Sequence, residues 1–115
     1  MNILVIDDDA VMRSLVKAML PEHDIIEAWT GGGALTILHE RLDIDLILLD
    51  WMLPDITGIS VLKAMPPDHP PVIMVTAKLL YEDHMAAEKA GAAGYITKSF
   101  VLKNLRDEVE RVAGN

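Results

Sequence analysis

The stretch LILLDWMLPDITG, Leu46–Gly58, decides the fold. Its four opening aliphatic residues, Leu46–Leu49, read as a strand covered on both faces, because a strand with one wet face alternates instead. The run stops on a carboxylate, Asp50, which has no basic residue near it in sequence. Pro54 and Gly58 then mark a loop. An acid closing so apolar a strand needs an explanation from elsewhere in the chain.

Four further apolar runs read as strands: Ile3–Ile6, Ile25–Ala28, Val72–Val75 and Gly94–Thr97. Those at Ile3–Ile6 and Val72–Val75 are as continuous as Leu46–Leu49, the mark of interior parallel strands. The other two are shorter and mixed, as edge strands are. Helical periodicity fills the gaps. Val11, Met12, Leu15, Val16 and Met19 form a first stripe, with Pro21 just beyond it. A second helix is entered at Thr30 or the glycines Gly31–Gly33 and carries Leu35, Leu38 and Leu42. A short third carries Ile59 and Leu62 and ends before Pro66. A fourth spans Tyr81 to Ala90, closed by Gly91, and a fifth shows Leu102, Leu105, Val109 and Val112. Strand–helix alternation of this kind makes a parallel sheet with right-handed crossovers and helices on both faces. The Pro-rich piece Met65–Pro71 is the loop into the fourth strand.

Composition agrees with one packed domain spanning residues 1–115. Of the 115 residues 51% are hydrophobic, enough for a core and too many for disorder. The chain has no cysteine, which excludes disulfides and thiolate metal sites and makes a cytoplasmic location the natural expectation. No apolar run approaches the roughly 20 residues needed to span a bilayer. The formal charge of −8 argues against direct nucleic acid binding, which needs clustered Lys and Arg.

In open parallel sheets ligands sit beyond the carboxyl ends of the strands. Read there, the strands end in Asp7-Asp8-Asp9, Asp50, Thr76 and Lys98. Asp50 is therefore expected to face Asp7 and Asp8, with Lys98 and Thr76 beside them. Two carboxylates about 4 Å apart repel by roughly 4 kcal/mol at an effective dielectric of 20. Such a cluster raises a carboxyl pKa or recruits a cation. A small set of oxygen donors suits Mg²⁺, which takes one or two carboxylates plus a phosphate oxygen. An acid pocket with a lysine and a hydroxyl is suited to holding a phosphoryl group.

On these residues the whole chain resembles the receiver domain of two-component response regulators. The motifs are LVIDDDA (Leu4–Ala10), LILLDWMLPDITG, VIMVTA (Val72–Ala77) and AGAAGYITKSF (Ala90–Phe100). The resemblance implies a flavodoxin-like three-layer α/β sandwich. Its five-stranded sheet would have order 2-1-3-4-5, doubly wound with five helices. It implies that Asp50 is the phosphoacceptor, taking a phosphoryl group from a phosphohistidine on a sensor histidine kinase or phosphotransfer protein. Asp8 and Asp50 would ligate Mg²⁺ directly, Asp7 through water, and Met52 by its carbonyl. Lys98 would pair with the phosphoryl oxygens and Thr76 would donate its hydroxyl to them. Tyr95 matches the aromatic that turns inward as Thr76 moves. The chain would be a switch that catalyses its own phosphorylation and dephosphorylation, not a conventional enzyme.

The resemblance places the output on the fourth helix, fifth strand and fifth helix, here Leu79, Leu80, Met85, Tyr95 and Val101. Its partner would be a downstream protein, a tethered output domain or a second copy in a phosphorylation-dependent homodimer. Residues 1–115 hold no output domain, whether the receiver is free-standing or part of a longer regulator. One departure is Lys98-Ser99 where the family usually has Lys-Pro with a cis bond. A cis bond without proline costs about 3–4 kcal/mol, so a trans bond is expected, with Ser99 as a cap of the fifth helix.

Other residues read more plainly. Asp9 is a helix cap and Asp55 a turn former; the four histidines lack zinc spacing; the methionines are core filler. Gly31–Gly33 lack the pattern of a phosphate loop. Two alternatives stay open: a phosphorylation-independent docking module, and a haloacid-dehalogenase-like phosphatase with Asp7 as nucleophile and Asp9 as acid/base.

Overall fold

The computed structural model describes residues 1–77 and 80–114. Its elements alternate in chain order. They are β1 (Asn2–Ile6), α1 (Ala10–Met19), β2 (Asp24–Ala28), α2 (Gly31–Glu40), β3 (Leu46–Leu49), α3 (Gly58–Ala64), β4 (Val72–Thr76), α4 (Tyr81–Lys89), β5 (Gly94–Thr97) and α5 (Val101–Val112). A 3₁₀ turn, Lys98–Phe100, leads into α5. The strands form one parallel sheet in the order β2-β1-β3-β4-β5, the expected order. Each lies within one residue of its expected ends.

Strand side chains alternate between faces, so each continuous apolar strand feeds two cores. Leu4, Ile6, Ile47, Leu49, Val72 and Met74 pack with Ala34 and Leu38 of α2, Val61 and Leu62 of α3, and Ala87 of α4. Ile3, Val5, Leu46, Leu48, Ile73, Val75 and Ile96 face the other way, against Val16 of α1 and Leu105 and Val109 of α5. This is the doubly wound, three-layer arrangement of the flavodoxin-like class.

Local chemistry fixes the helix starts. Asp9 caps α1 by accepting from the N–H groups of Val11 and Met12. Thr30 caps α2 through Gly33 N–H, and Thr57 caps α3 through Ser60 N–H. Gly91 follows α4 with φ +106°, a left-handed conformation that favours glycine.

Several expected packing positions differ. Val11 is 76% exposed, because α1 is rotated so that Met12, Leu15, Val16 and Met19 face the sheet and Val11 faces solvent. Leu42 is 96% exposed: α2 stops at Glu40, the chain turns toward β3, and Ile44 fills the core instead. Leu102 is also exposed, while Val101 is buried. The helix is phased so that Val101, Leu105 and Val109, spaced by four, face the sheet, which puts Leu102 about 100° away. Val101 is therefore core, not output surface. Leu79, also expected on that surface, lies outside the described residues.

Candidate functional site

Register brings the acids together. Ile6 pairs with Leu49, and the next residues, Asp7 and Asp50, leave the sheet side by side. Asp50 N–H donates to the Ile6 carbonyl at 2.9 Å, and Asp7 N–H to the Ala28 carbonyl at 3.0 Å. The gap between β1 and β3 is where the strand order reverses, the place where such sheets bind ligands. Asp7 and Asp50 are buried, at 3% and 4% exposure, and Asp8 is exposed at the rim. One oxygen from each of Asp7, Asp8 and Asp50 lies within 4.8 Å of the others.

Lys98 arrives from the end of β5. Its Nζ lies 3.0 Å from Asp7 Oδ2 and 3.0 Å from Asp50 Oδ2. The Lys98–Ser99 bond is trans, as expected. Ser99 does not cap α5, however: it belongs to the 3₁₀ turn, and its Oγ is 3.3 Å from Thr97 Oγ1. That turn delivers Lys98 to the acids without proline. Thr76, the last residue of β4, is fully buried on the same rim. Met52 N–H is 3.4 Å from Asp50 Oδ1. Tyr95 sits apart on β5, half-buried, its ring stacked on His84 at 4.8 Å.

The electrostatics follow from burial. Loss of water pushes the Asp7 carboxyl above its ordinary range, with help from the Asp50 charge, against the Asp9 N–H and Lys98. Burial pulls Lys98 down, but its bonds to Asp50 and Asp7 outweigh that and leave its pKa raised. Three hard oxygen donors with one ammonium between two of them leave net negative charge in a small space. That donor set fits a small hard dication such as Mg²⁺. Among the described residues no other group of three or more acids or histidines converges in this way.

Asp9, the acid/base of the phosphatase alternative, spends its side chain on the α1 cap. Three participants went unread in the sequence. Arg13 donates to the Asp7 carbonyl at 2.8 Å, pairs with Glu27 at 3.0 Å and stacks over Trp29 at 5.7 Å. Nothing in the spacing of α1 marks it. Gly58 does more than mark a loop, for it lets α3 abut the Asp50 backbone: a Cβ there would lie 2.1 Å from the Asp50 carbonyl oxygen. Asp55 is no mere turn former, for it accepts from Gly31 N–H and Gly32 N–H, each at 2.8 Å.

Fold and pocket together define a flavodoxin-like α/β domain with a carboxylate–lysine cluster at its switch point. The chain belongs to the response regulator receiver domain family, whose profile matches residues 3–110. It is 35% identical over 119 residues to the chemotaxis protein CheY of Pseudomonas aeruginosa, across 97% of this chain and 95% of that one. A Francisella response regulator receiver domain superposes with a TM-score of 0.88 at 31% identity, covering 97% of this chain and 95% of that chain. Response regulator TrrA of Thermotoga maritima, solved in complex with Mg²⁺ and BeF, gives a TM-score of 0.84 at 30% identity, covering 96% and 97%. The family is one of signalling switches rather than conventional enzymes. No described helix is long and apolar enough to cross a membrane.

Proposed function

We propose that the chain is a phosphorylation-driven switch in which Asp50 accepts a phosphoryl group from a phosphohistidine on a sensor kinase or phosphotransfer protein. The observation that carries this reading is the convergence of Asp7, Asp8 and Asp50 with Lys98 Nζ at 3.0 Å from two of them. A carboxylate oxygen of Asp50 bonds to phosphorus as the P–N bond breaks, and the electron pair leaves on the imidazole nitrogen. Lys98 holds one face of the transferred group by charge, and Thr76 offers its hydroxyl once the group is in place. Asp7, Asp8, Asp50 and the Met52 carbonyl would hold Mg²⁺, which neutralises charge on the phosphoryl oxygens when bound. That the relative TrrA was solved in complex with Mg²⁺ and BeF supports this reading.

The output surface proposed is the groove between α4, β5 and α5, about 590 Å³, with Leu80, Tyr81, Tyr95 and Phe100 in its lining. The new charge at Asp50 and Thr76 would be read there through Tyr95. A downstream protein, a tethered output domain or a second copy would each take this face.

Incubation with Mg²⁺ and a small phosphoramidate donor, borohydride trapping and mass mapping test the reading. The expected result is label on Asp50 and none after Asp50→Asn. Label on Asp7 would favour the phosphatase, and no label together with Trp51 fluorescence indifferent to both Mg²⁺ and beryllofluoride would favour the docking module.

A further inference from the structure

We propose that Asp55 is a positioning residue for the loop that carries Asp50 and Met52, holding it through the N-terminus of α2. The inference rests on the reading of that loop given under Proposed function. The segment between β3 and α3 is tied at its neck, where Gly58 N–H donates to the Trp51 carbonyl at 2.6 Å. It is tied again at its far end by Asp55. One carboxylate uses both oxygens, Oδ1 on Gly31 N–H and Oδ2 on Gly32 N–H, each at 2.8 Å. Such charge-assisted pairs are stronger than neutral ones, and the start of a ten-residue helix favours the negative charge further. These two donors hold the Asp55 carboxyl below the usual carboxylate range.

The neighbouring residues make the tie stiff. Ile56 lies over Gly31, where a Cβ would sit 2.5 Å from Ile56 Cγ1, so only glycine lets the loop come this close. Between Asp55 and Met52 stand Pro54, with its fixed φ, and Leu53, packed on the core. A shift at Asp55 therefore carries to Met52 and the Asp50 backbone. The helix does not depend on Asp55 for its start, because Thr30 Oγ1 already caps it through Gly33 N–H at 2.9 Å. The second tie acts on the loop.

The test compares the intact chain with Asp55→Ala, Asp55→Asn and Thr30→Ala. Mg²⁺ affinity is measured by calorimetry, and exchange of the Gly58 amide by NMR without metal. Asp55→Ala should weaken Mg²⁺ about tenfold, on the scale of lost supporting contacts at metal sites. Asp55→Asn, which keeps one acceptor, should fall between. Thr30→Ala, which removes a cap from the same helix but leaves the loop tied, should stay within about twofold. Gly58 exchange should quicken in Asp55→Ala and hold in Thr30→Ala. Equal effects of the two alanine variants, or none from Asp55→Ala, would overturn the inference. If the wild-type chain takes up no Mg²⁺, the phosphoacceptor reading falls instead, and Gly58 exchange alone decides whether Asp55 holds the loop.

Discussion

Replacing Gly58 with alanine sets helix propensity against packing, and the structure says packing wins. Alanine for glycine in a helix ordinarily stabilises by up to about 1 kcal/mol. At Gly58 the added Cβ would lie 2.1 Å from the Asp50 carbonyl oxygen and 2.9 Å from Trp51 Cα. It falls short of ordinary contact by about 1.3 Å, and the obstacle is backbone, which cannot rotate away. Overpacking of this kind costs about 3 kcal/mol. After the propensity gain the net loss is about 2 kcal/mol, or roughly 8 °C in melting temperature for a domain of this size. Gly32 is the control, because its Cβ would meet nothing nearer than Asp55 Oδ2 at 3.4 Å. Gly32→Ala should melt at or slightly above the wild type by far-UV circular dichroism. A Gly58→Ala variant melting at or above the wild type would refute the close approach of α3 to the Asp50 backbone.

Asp7→Asn should raise the melting temperature in chelator at neutral pH while weakening Mg²⁺ binding. Burial raises the Asp7 pKa, so its ionisation costs stability that is intact below the unfolded carboxyl value and lost as pH rises through the folded one. The variant keeps a one-to-one Lys98–Asp50 pair, and its advantage should vanish toward pH 4; an advantage that grows in acid would contradict this. Glu108 shows the opposite sign. Its bond to Arg111 holds its pKa down against burial, aided by Tyr95 N–H and by the Arg111 and His84 charges. Glu108→Gln should therefore lose up to about 1 kcal/mol above the ordinary glutamate pKa, a gap that closes as pH falls through the folded value in pH-dependent melts. Leu105→Ala, at a fully buried position, should cost about 2–5 kcal/mol, whereas Leu102→Ala on the exposed side should change little in urea titrations.

The sheet was legible because strand identity and strand neighbours follow from different signals that agreed. Continuous aliphatic runs marked β1, β3 and β4, and the polar residue after each run marked the rim. The order of strands came from the family resemblance, since alternation alone leaves it open. Asp7, Asp8, Asp50 and Lys98 were found because an acid or lysine at the end of an apolar run breaks a pattern. Arg13 and Asp55 break none: an arginine on an amphipathic helix and an aspartate in a Pro-containing loop are ordinary. Their contacts depend on which backbone carbonyl or N–H the fold brings near. Leu42 and Leu102 failed for a similar reason, because a three-and-four spacing fixes a stripe but neither the helix end nor its rotation on the sheet.

Two backbone groups at the start of the β5 edge are taken by their own chain: Tyr95 N–H donates to Glu108 Oε2 at 3.2 Å, and the carbonyl of Ala93, just before the strand, accepts from Arg111 at 3.1 Å. A bare strand margin is a template on which foreign strands polymerise. With those two groups occupied, a foreign strand approaching this flank would find two of its pairing positions already filled. A flank kept sticky for messages is in this way made a poorer seed for fibres.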